Sequence, residues 1–253
     1  MTGEVFKTVD FKWGWLLLVF LFACGQKSET EKVVDNAIAQ EHKADSHKSE
    51  TAQEADVPKE VETTETTDNN EEADASFSEI TVNDGITIDI KYATKDNFTK
   101  KIIYPCGRCY LRPEVAEKIV KAHEWLQKEH GLGLKMFDCY RPRPAQQRLW
   151  DVVPDPDYVT PPAKGSMHNR GLAVDLTLVD AKGKELNMGT PYDFFGKEAH
   201  TDNTSLPAEV LKNRNLLKQA LTAQGFSGIR TEWWHFSLNI SAPLSDWEWP
   251  CNQ

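Results

Sequence analysis

Between residues 26 and 75 there is no Phe, Trp or Tyr, and from Phe77 onward aromatic residues return throughout. Glu, Asp, Thr, Lys and Ala dominate the empty stretch. Such a segment buries too little apolar surface to offset the roughly 1–2 kcal/mol of backbone entropy lost per ordered residue. The break predicts an acidic tether over 24–76 and confines the packed core to 77–253. A chain of 253 residues then offers one sizeable domain with appendages. Its net charge of -10 belongs partly to the tether. That balance argues against a nucleic-acid partner, because a phosphate backbone demands clustered Lys and Arg.

Ahead of the tether, Lys7 and Lys12 precede an apolar run from Trp13 that ends at Cys24. The run is shorter than the roughly 20 apolar residues of a membrane-spanning helix and fits the core of a secretory signal over 1–23. Leu21-Phe22-Ala23-Cys24-Gly25 resembles a bacterial lipobox, with Phe22 bulkier than the usual residue there. This pattern predicts lipidation of Cys24 and a membrane partner reached through the lipid. The expected location is extracytoplasmic, in the periplasm or cell envelope. A flexible tether of roughly fifty residues would give a typical reach of about 40 Å.

In the domain, 80–82 and 87–92 alternate apolar and polar residues around Asp84-Gly85, which predicts strand, turn, strand. Pro113 can open a helix, since its missing N–H costs nothing there. Val115, Ile119, Ala122 and Leu126 then share a helical face that Gly131 closes. His123 and His130 lie on this helix with nothing to complete a metal site, so they read as packing or surface residues. The spacing further predicts a strand over 134–138, a short helix near 145–150, an irregular proline-rich loop over 151–164 and a strand over 173–179. A second long helix over 207–224 and a last strand over 229–238 complete the pattern. Strands and helices alternate only loosely, which predicts an α+β domain with a small antiparallel sheet flanked by helices.

Four cysteines fall in the domain: Cys106, Cys109, Cys139 and Cys251. In an oxidising compartment they can pair, but spacing alone assigns no connectivity. Cys106-Gly107-Arg108-Cys109 has no second C-x-x-C and no thioredoxin-like surroundings. It reads as structural thiols or a local bridge rather than a zinc ribbon or redox centre.

Two segments carry chemistry: 166–175, Ser-Met-His-Asn-Arg-Gly-Leu-Ala-Val-Asp, and 232–235, Glu-Trp-Trp-His. A hydrolytic zinc site wants three nitrogen or oxygen ligands and an open position. His168, Asp175 and His235 can supply them. An unpaired carboxylate inside an apolar strand costs several kcal/mol, and a bound cation would remove that penalty at Asp175. Gly171 and Ala173 lack the bulk that would stop the chain folding back between His168 and Asp175. Glu232 is the candidate general base. Residues three apart on an ideal strand face opposite sides, so Glu232 and His235 converge only at a bend, a bulge or a strand end. A lone His beside Trp is more often a packed core residue, and the argument rests on the whole spacing.

Ser-x-His-x-x-Gly-x-Ala-x-Asp followed downstream by Glu-Trp-Trp-His resembles the signature of the D-alanyl-D-alanine dipeptidases, the VanX-like zinc D,D-peptidases. The segments 92–98, 133–142, with Asp138-Cys139-Tyr140-Arg141-Pro142, and 188–193 extend it over almost all of 80–238. The resemblance implies the hedgehog/D,D-peptidase-like fold. It also implies one zinc ion held by His168, Asp175 and His235, with Glu232 as acid/base and Arg141 stabilising the oxyanion. It implies that Tyr92, Asp138, Ser166 and Asp193 line a pocket for a small dipeptide, with Asp193 suited to its ammonium. Hydrolysis of D-alanyl-D-alanine in cell-wall peptide metabolism is the expected activity. Two other readings remain open here: a D,D- or L,D-carboxypeptidase trimming peptidoglycan stem peptides, and a noncatalytic zinc-stabilised wall-binding module. Glu232 and Arg141 together speak against the last.

Overall fold

Thr81 ends the first strand early, because its hydroxyl accepts from the Asn83 N–H while Asp84 reaches back to the Thr81 N–H at 2.8 Å. In the computed structural model, which describes residues 76–251, this reciprocal cap winds Val82–Asp84 into a 3-10 turn closed by Gly85 at φ 76°. The expected hairpin therefore does not form. Local side-chain bonds to the backbone outcompete the strand ladder. Strand β1 (Ser78–Ile80) pairs antiparallel with β3 (Cys109–Leu111), whereas β2 (Thr87–Ile88) joins the main sheet. The segments expected to hold a signal over 1–23, a lipidated Cys24 and a tether over 24–76 lie outside the described residues, apart from Ser76.

Helix α1 (Pro113–His130) has Pro113 in its first turn and buries Val115, Ala116, Ile119, Ala122, His123 and Leu126. Gly131, at φ 64°, ends it: its N–H bonds the Gln127 carbonyl and the Leu132 N–H bonds that of Leu126, a left-handed stop that favours glycine. Buried His123 is a packing residue that accepts the Leu134 N–H at Nδ1, 3.1 Å away, and His130 is exposed. The chain continues through β4 (Gly133–Asp138), helix α2 (Arg143–Trp150) and β5 (Ala173–Val179). It ends with helix α3 (Ala208–Thr222), β6 (Phe226–Gly228) and β7 (His235–Leu238).

The main sheet has five strands in the order β2-β4-β5-β7-β6. It is mixed rather than purely antiparallel, because β2 runs parallel to β4 while the other neighbours are antiparallel. Central β5 is buried along its whole length, and α1 packs on both β4 and α3. The architecture is α+β, with small sheets and three α-helices among the described residues. No described helix is long and apolar enough to cross a membrane.

The expected last strand is broken, since 229–234 form an irregular connection between β6 and β7. The cysteines also differ from a local bridge. Cys106 pairs with Cys251 and Cys109 with Cys139. The first bond ties down a C-terminal strap over 239–251, in which Trp247 stacks on Phe77 and Tyr140 donates its hydroxyl to the Trp247 carbonyl. The strap also touches the turn that begins at His168, where the Ser245 N–H bonds the Asn169 carbonyl at 2.9 Å.

Candidate active site

The catalytic candidates converge where three central strands place their ends side by side. Asp175 on β5 faces His235 at the start of β7, and Asp138 at the end of β4 lies on the other side of Asp175. His168 opens a 3-10 turn, His168–Arg170, which Gly171 ends at φ 70°. A Cβ on Gly171 would lie 2.7 Å from the Phe77 ring, so both the turn and its packing require glycine here.

This turn brings His168 Nε2 to 3.3 Å from Asp175 Oδ1 and 3.2 Å from His235 Nδ1. The triangle closes with 3.0 Å between His235 Nδ1 and Asp175 Oδ1. Tetrahedral zinc with ligands at about 2.0–2.1 Å would separate them by about 3.3 Å, so the three atoms fit one ion within a few tenths of an ångström. Two of the three candidate ligands are also held from behind. His168 Nδ1 bonds the Cys139 carbonyl at 2.7 Å, which turns Nε2 toward the cluster, and the Tyr192 hydroxyl donates to Asp175 Oδ2 at 3.0 Å. Such outer partners fix the orientation of ligating groups. Burial opposes ionisation of Asp175, but His168 and His235 outweigh it and hold the carboxyl well below the usual range.

A cavity of about 230 Å³ opens onto this cluster and is bordered by Tyr92, Arg141, Ser166, Asp193 and Glu232. The break between β6 and β7 answers the facing problem of Glu232 and His235. Because Glu232 lies in the irregular connection, its Oε2 comes within 3.9 Å of His235 Nδ1. Burial pushes the Glu232 carboxyl up to about 7, with Asp175 adding to the rise and His235 and Arg141 opposing it. Arg141 remains charged: burial disfavours its cation, but the adjacent Asp138 carboxylate prevails.

Asp193 sits at φ 57°, a left-handed conformation that Asp tolerates better than most residues. Its Oδ1 accepts the Tyr92 hydroxyl at 3.2 Å, while Oδ2 is buried without a hydrogen-bond partner. Burial, then the charges of Asp175 and Glu232, push its carboxyl well above the usual range. A buried acceptor of this kind at the cavity wall suits a cationic group.

Asp138 departs from the expectation. It is fully buried and is not among the residues bordering the cavity. Its Oδ2 accepts Arg141 Nε and Nη2 at 3.0 and 2.7 Å, and its Oδ1 accepts the Tyr104 hydroxyl at 2.8 Å. Arg141 Nη1 adds a bond to Gln146 at 2.8 Å, and the guanidinium lies 5.2 Å over the Tyr92 ring. Asp138 therefore holds Arg141 in place from beneath the cavity wall. Sequence reasoning missed Tyr104, Tyr192 and Gln146. Tyr192 had one available signal, its place next to Asp193.

A peptidase M15 family model, described as D-ala-D-ala dipeptidase, matches residues 76–251. The chain belongs to this family. Among its relatives, the D-alanyl-D-alanine dipeptidase of Escherichia coli is 42% identical over 157 residues, which are 62% of this chain and 81% of that protein. That of Enterococcus faecium is 34% identical over 175 residues, 61% of this chain and 86% of the relative. In Enterococcus faecalis the identity is 31% over 186 residues, covering 64% and 90%. As a member of the D-Ala-D-Ala dipeptidase family, the chain is a metallopeptidase. Its metal-capable cluster of His168, Asp175 and His235 lies inside the matched span.

Proposed function

We propose that this chain hydrolyses D-alanyl-D-alanine with one zinc ion held by His168, Asp175 and His235. The reading includes the hedgehog/D,D-peptidase-like fold implied by the motifs. One observation carries it: a ligand triangle sized for zinc shares a single cavity with Glu232, Arg141 and the unbonded Asp193 oxygen. When bound, zinc supplies Lewis-acid polarisation of the scissile carbonyl and acidifies a water.

The chain's own groups do the rest. Glu232, as carboxylate, takes a proton from the attacking water and returns it to the leaving amine. Its raised pKa of about 7 suits both transfers near neutrality. Arg141, pinned by Asp138 and Gln146, stabilises the oxyanion of the tetrahedral intermediate with a charge that needs no reorganisation. Asp193 and Tyr92 hold the substrate ammonium, and Ser166 is assigned to the far end of the dipeptide. A buried acceptor for a free amine favours a dipeptide over a stem peptide, whose corresponding nitrogen is an amide.

The proposal extends to location: a signal over 1–23, lipidation at Cys24 and an extracytoplasmic enzyme of cell-wall peptide metabolism. Two disulfides support an oxidising compartment, since such bonds are rare in reducing cytosol. The test is turnover by the zinc-loaded full chain of D-Ala-D-Ala, its L-L isomer and N-acetyl-D-Ala-D-Ala, before and after chelation. Zinc-dependent preference for the free D-D dipeptide is expected. Preference for the blocked substrate would replace the dipeptidase with a stem-trimming enzyme, and no turnover at any zinc loading would end the proposal.

A further inference from the structure

The connection over 229–234 separates two cavities. Glu232 and Trp234 border the catalytic one, Arg230 and Trp233 border the other, and Ile229 reaches both. The second cavity, of about 290 Å³, receives Arg214 and Lys218 from α3 and Arg230 from the connection. No carboxylate among the described residues lines it. The domain over 76–251 is charge-balanced, with 22 Lys and Arg against 22 Asp and Glu, so three cations around one cavity without an acid form a local excess of positive charge.

Arg214 gives this excess a built component. It and Arg141 are the buried arginines of the described residues, at 8% and 7% exposure. Arg141 has a carboxylate partner in Asp138. Arg214 bonds only carbonyls: Met188 at 2.8 Å, Glu198 at 2.9 Å and His200 at 3.3 Å. These contacts engage each guanidinium nitrogen once, whereas a guanidinium offers five N–H donors. Carbonyl dipoles solvate the cation without neutralising it, and a desolvated charge without a counter-charge is costly. Burial accordingly draws the Arg214 pKa down to about 10. The Trp233 ring lies 5.8 Å from the guanidinium, and half-exposed Ile229 gives the cavity an apolar edge.

We propose that this cavity is a second ligand site, for a small oxyanion carrying a short apolar group, held by Arg214, Lys218 and Arg230. Carboxylates and phosphate esters share the required chemistry. The site does not depend on the peptidase reading, because none of its three cations borders the catalytic cavity.

The zinc-loaded full chain is titrated with inorganic phosphate and, separately, with N-acetyl-D-alanine. Binding is followed by calorimetry and by Trp fluorescence. Lys218 and Arg230 are exposed, so the double variant Lys218→Gln/Arg230→Gln removes two of the cations without disturbing the core. Saturable binding that weakens about tenfold or more in the variant, with dipeptide hydrolysis unchanged, is the expected result. Tighter phosphate binding identifies a phosphate ester as the ligand class, and tighter N-acetyl-D-alanine binding identifies a peptide carboxylate. Absence of saturable binding by both probes overturns the proposal. So does equal affinity in the variant, which would put the anion at the catalytic centre instead.

Discussion

Replacing Asp138 with Asn changes no shape and removes one charge, which makes it a sharp test of how Arg141 is held. The carboxylate accepts two bonds from Arg141 and one from Tyr104 with no exposure to water. Breaking a buried ion pair while its partner stays in place costs about 3–5 kcal/mol. For a domain of this size that corresponds to a melting temperature lower by roughly 10 °C. The guanidinium would also lose its fixed aim. Removing one preorganised oxyanion donor elsewhere costs about 10²–10³ in kcat, and a loss near the lower end is expected here. KM should stay within about threefold, because Asp138 lines no part of the cavity and so contributes no uniform substrate binding. Steady-state kinetics on D-Ala-D-Ala, with zinc content and thermal unfolding measured on the same preparation, separates these effects. A variant with unchanged kcat and raised KM would refute the positioning role and restore Asp138 as a pocket residue.

Glu232→Gln should keep its zinc and lose about 10²–10⁴ in kcat. With the Glu232 pKa at about 7, the base is protonated on the acid side, so kcat/KM should fall by about tenfold per pH unit below that value and level off above it. The Gln variant's residual rate should lack that limb. Asp193→Asn should raise KM for the free dipeptide by about 30-fold, as the buried charge facing the ammonium is lost, and leave turnover of the N-acetyl substrate unchanged. The paired change Cys109→Ala/Cys139→Ala opens a loop with a sequence separation of 30, worth about 3–4 kcal/mol in the chain-entropy account, read as a lower denaturation midpoint. Because the Cys139 carbonyl orients His168, zinc affinity should fall with it by about tenfold, measured by chelator competition.

Features that rest on local spacing were readable from the residues. Pro113, the apolar face through Leu126 and Gly131 delimit α1, and the Val/Leu-rich run of β5 marks the central strand that carries Asp175. The metal-capable cluster of His168, Asp175 and His235 was likewise recognisable, because motif spacing survives in the chain as a string. Features that rest on competition or long-range pairing were not. The Asp84-Gly85 turn signal was real, but the Thr81–Asp84 cap uses it to send β1 and β2 into different sheets. The strand expected over 229–238 contains a break whose reason is tertiary: His235 pairs with Asp175 while Glu232 borders the cavity. Asp138 beside Arg141 looked like a pocket acid because the buried Tyr104 that shares it lies 34 residues away. Disulfide partners, separated by 145 and 30 residues, leave no local trace at all.

The strap over 239–251 shifts where the enzyme's functional boundary falls. All the side chains assigned to chemistry lie at or before His235, so a shortened relative ending near Leu238 would still carry the full motif. Yet it would lack Trp247 against Phe77, the anchor at Cys106 and the hand-hold of Ser245 on the turn that delivers His168. A homologue retaining the motif but lacking this tail, or a substitute for it, should be a poor metal binder. Motif-complete chains in this family are therefore better judged by what clamps the His168 loop than by a count of catalytic residues.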